Sequence, residues 1–219
     1  MKDDFASRLF PYTEREELAN RWTHIPAVVV FLAGAGLLIV RAAETGDPYR
    51  IVSASIFAVC LSSFYVISSI YHSLKQPRLH YLFRALDHAG IFLVIAGTYT
   101  PFTLVTLRGA WGWSLFGVVW GAAIAGLVYK SLVPHRHKIV MPLLYLALGW
   151  VAVVALKPLR AAMVPEGIFW LFAGGLSYSV GLIFYAAGRI PYNHAIWHLF
   201  VIMGSVAHFL CILWYVVPV

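Results

Sequence analysis

Charged residues are scarce in this sequence. Asp, Glu, Lys and Arg make up 11% of its 219 residues, whereas an ordinary soluble domain contains about 25%. Hydrophobic residues make up 61%. A soluble fold of this size could not bury so much apolar surface, but a lipid bilayer removes the need to bury it. The composition therefore argues against a soluble globular protein and predicts an integral membrane protein.

Cysteine is also nearly absent, and its two positions are uninformative for chemistry. Cys60 and Cys211 both lie inside apolar stretches, which argues against a disulfide framework and against a cysteine-based zinc site. We interpret them as small hydrophobic side chains.

The first twenty residues lack a basic segment followed by a short apolar run and a small-residue cleavage site, so we expect no cleaved signal peptide.

Seven stretches of the chain contain no Asp, Glu, Lys or Arg, and each is close to the length that a spanning helix needs, about 20 residues. Their continuous apolarity differs from the short alternating segments of a membrane β-barrel. We predict an all-α, polytopic membrane protein with a seven-transmembrane helix bundle. Residues 1–21 would form an N-terminal segment in the cytoplasm, and residues 22–219 would form a single transmembrane domain.

Lys and Arg are unevenly divided between the two sides of the predicted bundle. The side with the N-terminus and loops two, four and six carries eleven of them, and the opposite side carries five. Because positive residues favour the cytoplasm, we expect the N-terminus inside and the C-terminus outside. The net charge of +7 is then explained by topology and lipid-headgroup contacts, without nucleic acid as a partner.

Polar residues from distant parts of the chain fall at the cytoplasmic ends of the predicted spans. Ser68 and His72 end span two, Asp87 begins span three, and His194 and His198 begin span seven. Ionisable residues in or near a membrane span are costly and indicate function by default. The sequence thus predicts that imidazole and carboxylate groups meet at one membrane depth.

The spacing of these residues suits a metal ion. His194 and His198 are four residues apart and share a helix face, which is a common chelating arrangement. With His72 they offer three neutral nitrogen ligands. Three protein ligands plus water is typical of catalytic zinc, whereas four protein ligands is typical of structural zinc. Asp87 would either close the site as a ligand or hydrogen-bond the water and leave the site reactive.

Simpler interpretations exist for each residue. Two histidines at this spacing often bind no metal, and a serine such as Ser68 often bonds its own helix backbone. Asp87 beside Arg84 also fits an interfacial ion pair. Histidine itself suits several first-row metals, so the ligand types alone do not select zinc.

The other histidines carry weaker signals. We expect His80, His135 and His137 to be solvated side chains of cytoplasmic loops, and His24 to cap a helix or lie at the interface. His208 lies deeper in span seven, within about 40° of the face of His194. For His208 we favour a structural role or a supporting role behind the ligands over membership of a proton pathway.

Several motifs stand where the polar residues cluster. They are S-S-I-Y-H (68–72), A-L-D-H-A-G-I (85–91), A-G-T-Y-T-P-F (96–102), N-H-A-I-W-H (193–198), G-S-V-A-H-F (204–209) and the spaced set Glu17, Asn20, Thr23 and His24. In this order they resemble the hemolysin III proteins, the bacterial branch of the progestin and adipoQ receptor family. The resemblance covers essentially the whole chain.

The resemblance implies seven helices, a cytoplasmic N-terminus and residence in the bacterial inner (plasma) membrane. The family's adiponectin receptors are similar to zinc-bearing hydrolases of ceramide-like lipid amides, and bacterial members are linked to membrane homeostasis. Carried over by motif, the Zn²⁺ ligands would be His72, His194 and His198. Asp87 would stand beside the zinc-bound water, with Ser68 nearby, as the catalytic residues.

Three functions follow for a chain whose partners are membrane lipids. The first is a zinc-dependent hydrolase of lipid amide or ester bonds that takes its lipid substrate from the bilayer. The second is a membrane sensor or regulator in which structural zinc ties spans two and seven together. The third is a haemolysin-like pore or a transporter. We rank the third last, because the polar residues cluster at one depth instead of crossing the bilayer.

Overall fold

The described chain is almost entirely helical. The computed structural model describes residues 11–132 and 140–217. In these two ranges we find eight α-helices, with no β-strand. The helices are α1 (Glu14–Glu44), α2 (Pro48–Tyr71), α3 (Pro77–Pro101), α4 (Ala110–Leu132), α5 (Val140–Gly149), α6 (Leu156–Ala162), α7 (Pro165–Ala186) and α8 (Asn193–Cys211). A π-helical turn follows α3 at Phe102–Thr106, and another follows α8 at Ile212–Val216.

These helices form seven segments that are long and apolar enough to cross a membrane. The fifth segment consists of α5, a 3₁₀ turn at Val151–Ala155, and α6. The hydroxyl of Tyr99 supports this break, because it donates to the Gly149 carbonyl at 2.8 Å and accepts from the Ala152 N–H at 2.7 Å. The prediction of an all-α bundle with seven spans is confirmed, and which side of the membrane holds the N-terminus stays a prediction.

Local signals explain where the helices begin. Thr13 and Glu16 form a capping box at the start of α1, so that two backbone N–H groups of the first turn are satisfied. Asp47 caps α2 through the backbone N–H of Tyr49 at 3.0 Å. Proline occupies the first helical position of α2, α3 and α7, where its missing N–H costs nothing. Because α1 begins at Glu14, Glu17 stands on an ordered helix.

Consecutive helices pack side by side, and the series closes on itself. The most extensive contacts join α7 with α8, α2 with α3, and α1 with α2. The first helix also packs against the last, since α1 contacts α8. The start of α1, the end of α2 and the starts of α3 and α8 therefore meet at one end of the bundle.

Glycine permits the closest helix approaches. A Cβ atom at Gly174 in α7 would overlap the imidazole of His208 in α8, and one at Gly126 in α4 would overlap the ring of Phe92 in α3. Small residues have this role in membrane bundles, where packing replaces the hydrophobic effect. Other glycines of the spans, such as Gly121, face open space.

Candidate metal centre

Three histidines converge at the end of the bundle where α1 begins. His72 directly follows α2, while His194 and His198 occupy the first turns of α8 on one face of that helix. All three are buried, and one ring nitrogen of each lies within 4.8 Å of the others. The structure therefore brings together the three side chains that the sequence predicts as metal ligands.

Several nitrogens of this triad have no hydrogen-bond partner in the described chain. These are Nε2 of His72 and both ring nitrogens of His194, and all of them are buried. A buried polar atom without a partner is costly and needs an explanation, of which an ion is one. The rings of the three histidines lie 4.4–5.2 Å apart between centroids. The donor set and its unmet nitrogens fit a divalent metal with imidazole ligands.

The first helix and the residues before it contact all three histidines. The Glu17 carboxylate lies 2.7 Å from Nδ1 of His72, and the Thr23 hydroxyl lies 2.9 Å from Nδ1 of His198. The ring of Tyr12 stacks on His194 with centroids 4.8 Å apart. Burial raises the pKa of the Tyr12 hydroxyl above its ordinary value, with smaller contributions from neighbouring tyrosines and from Glu17. Tyr12 is therefore a neutral group at neutral pH.

These contacts were not predicted from the sequence, where Glu17 and Thr23 stand out only as members of a spaced motif and Tyr12 was not singled out. Their spacing did carry information. Glu17, Asn20 and Thr23 are three residues apart, which places them close to one face of a helix. That face could be read from the sequence, but its histidine partners could not.

Asp87 and Ser68 are buried near the triad but are not joined to it. One oxygen of the Asp87 carboxylate lies 3.8 Å from Nδ1 of His88, and the other has no partner in the described chain. The carboxylate also interacts electrostatically with Tyr71 and Tyr185, whose rings pack against His72 and His194.

The Ser68 hydroxyl likewise lacks a partner among the described atoms. Its backbone carbonyl accepts from the N–H of His72 at 3.0 Å, which places Ser68 one helical turn before that histidine. The simpler interpretation, a hydroxyl bonded to its own helix, is not what the structure has at this position. Asp87 and Ser68 thus each offer an unused oxygen in the neighbourhood of the three histidines.

Two predictions about single histidines are wrong. His80 is not a solvated loop residue: it is buried in the first turn of α3, where Nδ1 lies 3.1 Å from the Leu74 carbonyl and its ring packs on Tyr71. The charges around it suggested a loop, but α3 begins at Pro77 and carries it inside. His24 neither caps a helix nor reaches the interface, since it is buried and stacks on His198 with centroids 3.7 Å apart. His135 and His137 lie outside the described residues.

His208 lies away from the triad. Its Nε2 is 3.0 Å from the Leu171 carbonyl of α7, and its ring packs near Tyr178 at 5.5 Å between centroids. It also lines an apolar cavity of about 130 Å³. These contacts join α7 to α8 and agree with a structural role.

A polar pocket of about 590 Å³ opens beside the triad. The residues that line it include Tyr12, Glu17 and His72, together with Arg15, Arg21 and Lys75. The pocket reaches His72 from this end of the bundle, while apolar side chains line the cavity near His208.

Comparison with known proteins agrees with this architecture. The family described as Haemolysin-III related matches residues 12–209. The chain is 41% identical to "Hemolysin-3" of Bacillus cereus over 204 residues, which is 93% of either chain. It is 41% identical to the "Hemolysin-3 homolog" of Bacillus subtilis over 95% of this chain and 98% of the relative.

A more distant relative lies outside bacteria. The "Adiponectin receptor protein" of Drosophila melanogaster is 25% identical over 88% of this chain and 49% of its own length. No solved structure matches the chain.

Proposed function

Because the chain belongs to the haemolysin III family of membrane proteins and is related to an adiponectin receptor, we propose that it is a zinc-dependent hydrolase of membrane lipids. The observation that carries the proposal is the buried triad of His72, His194 and His198, which contains unpartnered nitrogens and whose His72 lines a pocket with charged residues. Three histidine ligands with room for water are typical of catalytic zinc. The site would serve lipid homeostasis from within the bilayer.

The proposed reaction adds water across an amide or ester bond. Hydroxide joins the carbonyl carbon, the bond to the nitrogen or oxygen of the leaving group breaks, and a proton goes to that leaving group. A bound zinc ion would supply Lewis-acid polarisation of the carbonyl and make hydroxide available near neutral pH. The three histidines would hold it.

Asp87 and Ser68 are the proposed catalytic residues. A carboxylate can take the proton of the attacking water and return it to the leaving amine or alcohol, and one oxygen of Asp87 is free of partners in the described structure. The hydroxyl of Ser68 can donate a hydrogen bond to the carbonyl oxygen as negative charge develops on it. Its burial near His72 would make that bond stronger than in water.

In such a reaction, water and the lipid substrate would reach the site by different routes. Water would arrive through the pocket lined by Tyr12, Glu17 and His72, and the lipid would arrive from the membrane that surrounds the seven spans. We place the protein in the bacterial plasma membrane with its N-terminus and this pocket on the cytoplasmic side, as the loop charges indicate.

A second function is supported by one observation of its own. The triad joins helices that are distant in sequence, and Glu17 and Thr23 add α1 to that junction. A metal at this position could act as a structural tie in a membrane sensor, since metal binding contributes directly to folding stability. In that case Asp87 would have no chemical role.

One experiment separates the two functions. Zinc content is measured by elemental mass spectrometry on detergent-purified wild type, His72→Ala, His198→Ala, Asp87→Asn and Ser68→Ala, and each protein is assayed for turnover of lipid amides and esters. Ser73→Ala is the control for Ser68→Ala, because the Ser73 hydroxyl, as far as the described residues show, bonds the Ser69 carbonyl of α2.

The hydrolase predicts about one zinc per chain, lost in both histidine variants and kept in Asp87→Asn. Turnover by Asp87→Asn should fall by roughly 10²–10⁴-fold, the usual contribution of a general acid–base. Zinc without turnover in wild type, with lower stability after zinc removal, would favour the sensor. A wild type that takes up no zinc when zinc is supplied would refute both.

A further inference from the structure

The first helix makes hydrogen bonds to two of the three candidate ligands. The Glu17 carboxylate bonds Nδ1 of His72 at 2.7 Å, and the Thr23 hydroxyl bonds Nδ1 of His198 at 2.9 Å. In both cases the bonded atom is Nδ1. On each histidine, Nε2 is therefore the ring nitrogen that these two bonds do not engage.

The hydrogen positions on His72 follow from its partner. An ionised carboxylate only accepts hydrogen bonds, so Nδ1 of His72 carries the proton that it donates to Glu17. Neutral imidazole has one N–H, and its other nitrogen is then an acceptor with a free lone pair. This acceptor is Nε2, which is buried and has no partner in the described chain.

The same reasoning applies to His198 through one more bond. The Thr23 hydroxyl donates its single hydrogen to the Asn20 carbonyl at 2.7 Å. Its oxygen can then only accept from His198, so Nδ1 of His198 is the donor. Nε2 of His198 keeps its lone pair.

We propose that Glu17 and Thr23 are positioning residues of the zinc site, which hold His72 and His198 in the Nδ1–H tautomer so that both ligate through Nε2. The inference rests on the zinc site of the proposed function but not on the hydrolytic reaction. Partners of this kind orient the ring and raise its basicity, and their loss typically weakens metal affinity by about 10–100-fold.

Because the bond between Glu17 and His72 is buried, we expect its loss to weaken zinc binding strongly. The His72 side chain is 0% exposed and that of Glu17 is 19% exposed, so solvent does little to replace the bond. A merely structural pair would also tie α1 to α2, however, and its loss would destabilise the protein with or without metal. The test must therefore compare metal affinity with the stability of the metal-free protein.

The test uses four full-length variants in detergent. Glu17→Ala removes the acceptor, Glu17→Gln keeps an acceptor oxygen without the charge, and Thr23→Val removes the hydroxyl at constant size. Glu14→Gln is the matched control, because Glu14 lies in the first turn of the same helix and pairs with Lys75 at the surface, where its side chain is 96% exposed. Zinc affinity is measured by chelator competition, site geometry by the absorption spectrum of the Co²⁺-substituted protein, and stability by unfolding after metal is stripped.

The inference predicts that Glu17→Ala binds zinc about 10–100-fold more weakly than wild type and has an altered Co²⁺ spectrum. Glu17→Gln should recover part of the affinity, Thr23→Val should weaken it through His198, and Glu14→Gln should match wild type. The metal-free Glu17→Ala protein should unfold somewhat more easily than wild type, because the buried Nδ1–H of His72 loses its acceptor, but the altered Co²⁺ spectrum should appear in protein that is still folded.

Two results would overturn the inference. If wild type binds zinc, but Glu17→Ala and Thr23→Val bind it equally well with unchanged Co²⁺ spectra, the positioning role is wrong and the zinc site stands. If wild type binds neither zinc nor Co²⁺, the positioning role fails together with the site. Lipid turnover enters neither result, so failure of the hydrolase leaves the positioning role unaffected.

Discussion

The contact between α7 and α8 allows a sharp test of the packing that places His194 and His198. Gly174 and Gly175 are neighbours in α7, but their surroundings differ. A methyl group at Gly174 would overlap the imidazole of His208, whereas one at Gly175 would meet Trp150 at 3.6 Å, an ordinary contact distance. We therefore predict that Gly174→Ala destabilises the protein and that Gly175→Ala does not.

The size of the difference can be worked out from these contacts. Both substitutions gain the same helix propensity, about 1 kcal/mol, so this gain cancels between them. Overpacking at Gly174 costs about 1–3 kcal/mol. Displacing His208 also weakens its bond to the Leu171 carbonyl, now 3.0 Å long, and such bonds average about 0.6 kcal/mol in membrane proteins. Gly174→Ala should therefore be less stable than Gly175→Ala by about 1.5–3.5 kcal/mol.

Equilibrium unfolding in mixed micelles would measure this difference. The His208→Ala background serves as the control, because removing the imidazole makes room for the new methyl group. There the cost of Gly174→Ala should largely disappear, as expected for two residues in contact. Equal stabilities for Gly174→Ala and Gly175→Ala in the wild-type background would refute the packing argument.

Three further predictions concern the metal and the break in the fifth span. Stripping zinc with a chelator should lower the unfolding temperature of wild type but not of His198→Ala, because a ligand at a hundredfold excess over its Kd stabilises by about 2.7 kcal/mol; equal shifts would argue against the site. His208→Ala should lose stability but keep its zinc in elemental analysis, and loss of zinc would move His208 into the site. Tyr99→Phe should cost about 1–3 kcal/mol in chemical unfolding, since its hydroxyl joins Gly149 and Ala152, and an unchanged midpoint would contradict that role.

Much of the fold could be predicted because charge is so rare in this chain. Lys, Arg, Asp and Glu mark the ends of seven apolar stretches, and all seven are helices in the structure. The internal break of the fifth span was not predicted, since the residues between Lys138 and Lys157 form one continuous stretch without charge. The break is held by Tyr99 from α3, a tertiary contact that no local pattern reports.

The candidate site was predictable to the same extent. The spacing of His194 and His198 and the shared depth of His72 are local or charge-based signals, and they pointed to three histidines that lie together in the structure. The contacts of Glu17 and Thr23 depend on how α1 packs against α2 and α8, which the sequence does not state. The prediction for His80 failed for a different reason. The charged residues around it suggested a solvated loop, whereas α3 begins close by and buries the side chain.

The closure of the helix ring, in which α1 packs against α8, also bears on how the protein is made. The chain leaves the ribosome from its N-terminus, and Thr23 and His198 are 175 residues apart. Until the last span has been made, Thr23 lacks His198, to which it bonds, and His72 lacks the two histidines beside which it lies. A chain that stops before His198 lacks the complete triad, so a metal held by all three histidines could bind only after the last span has been made.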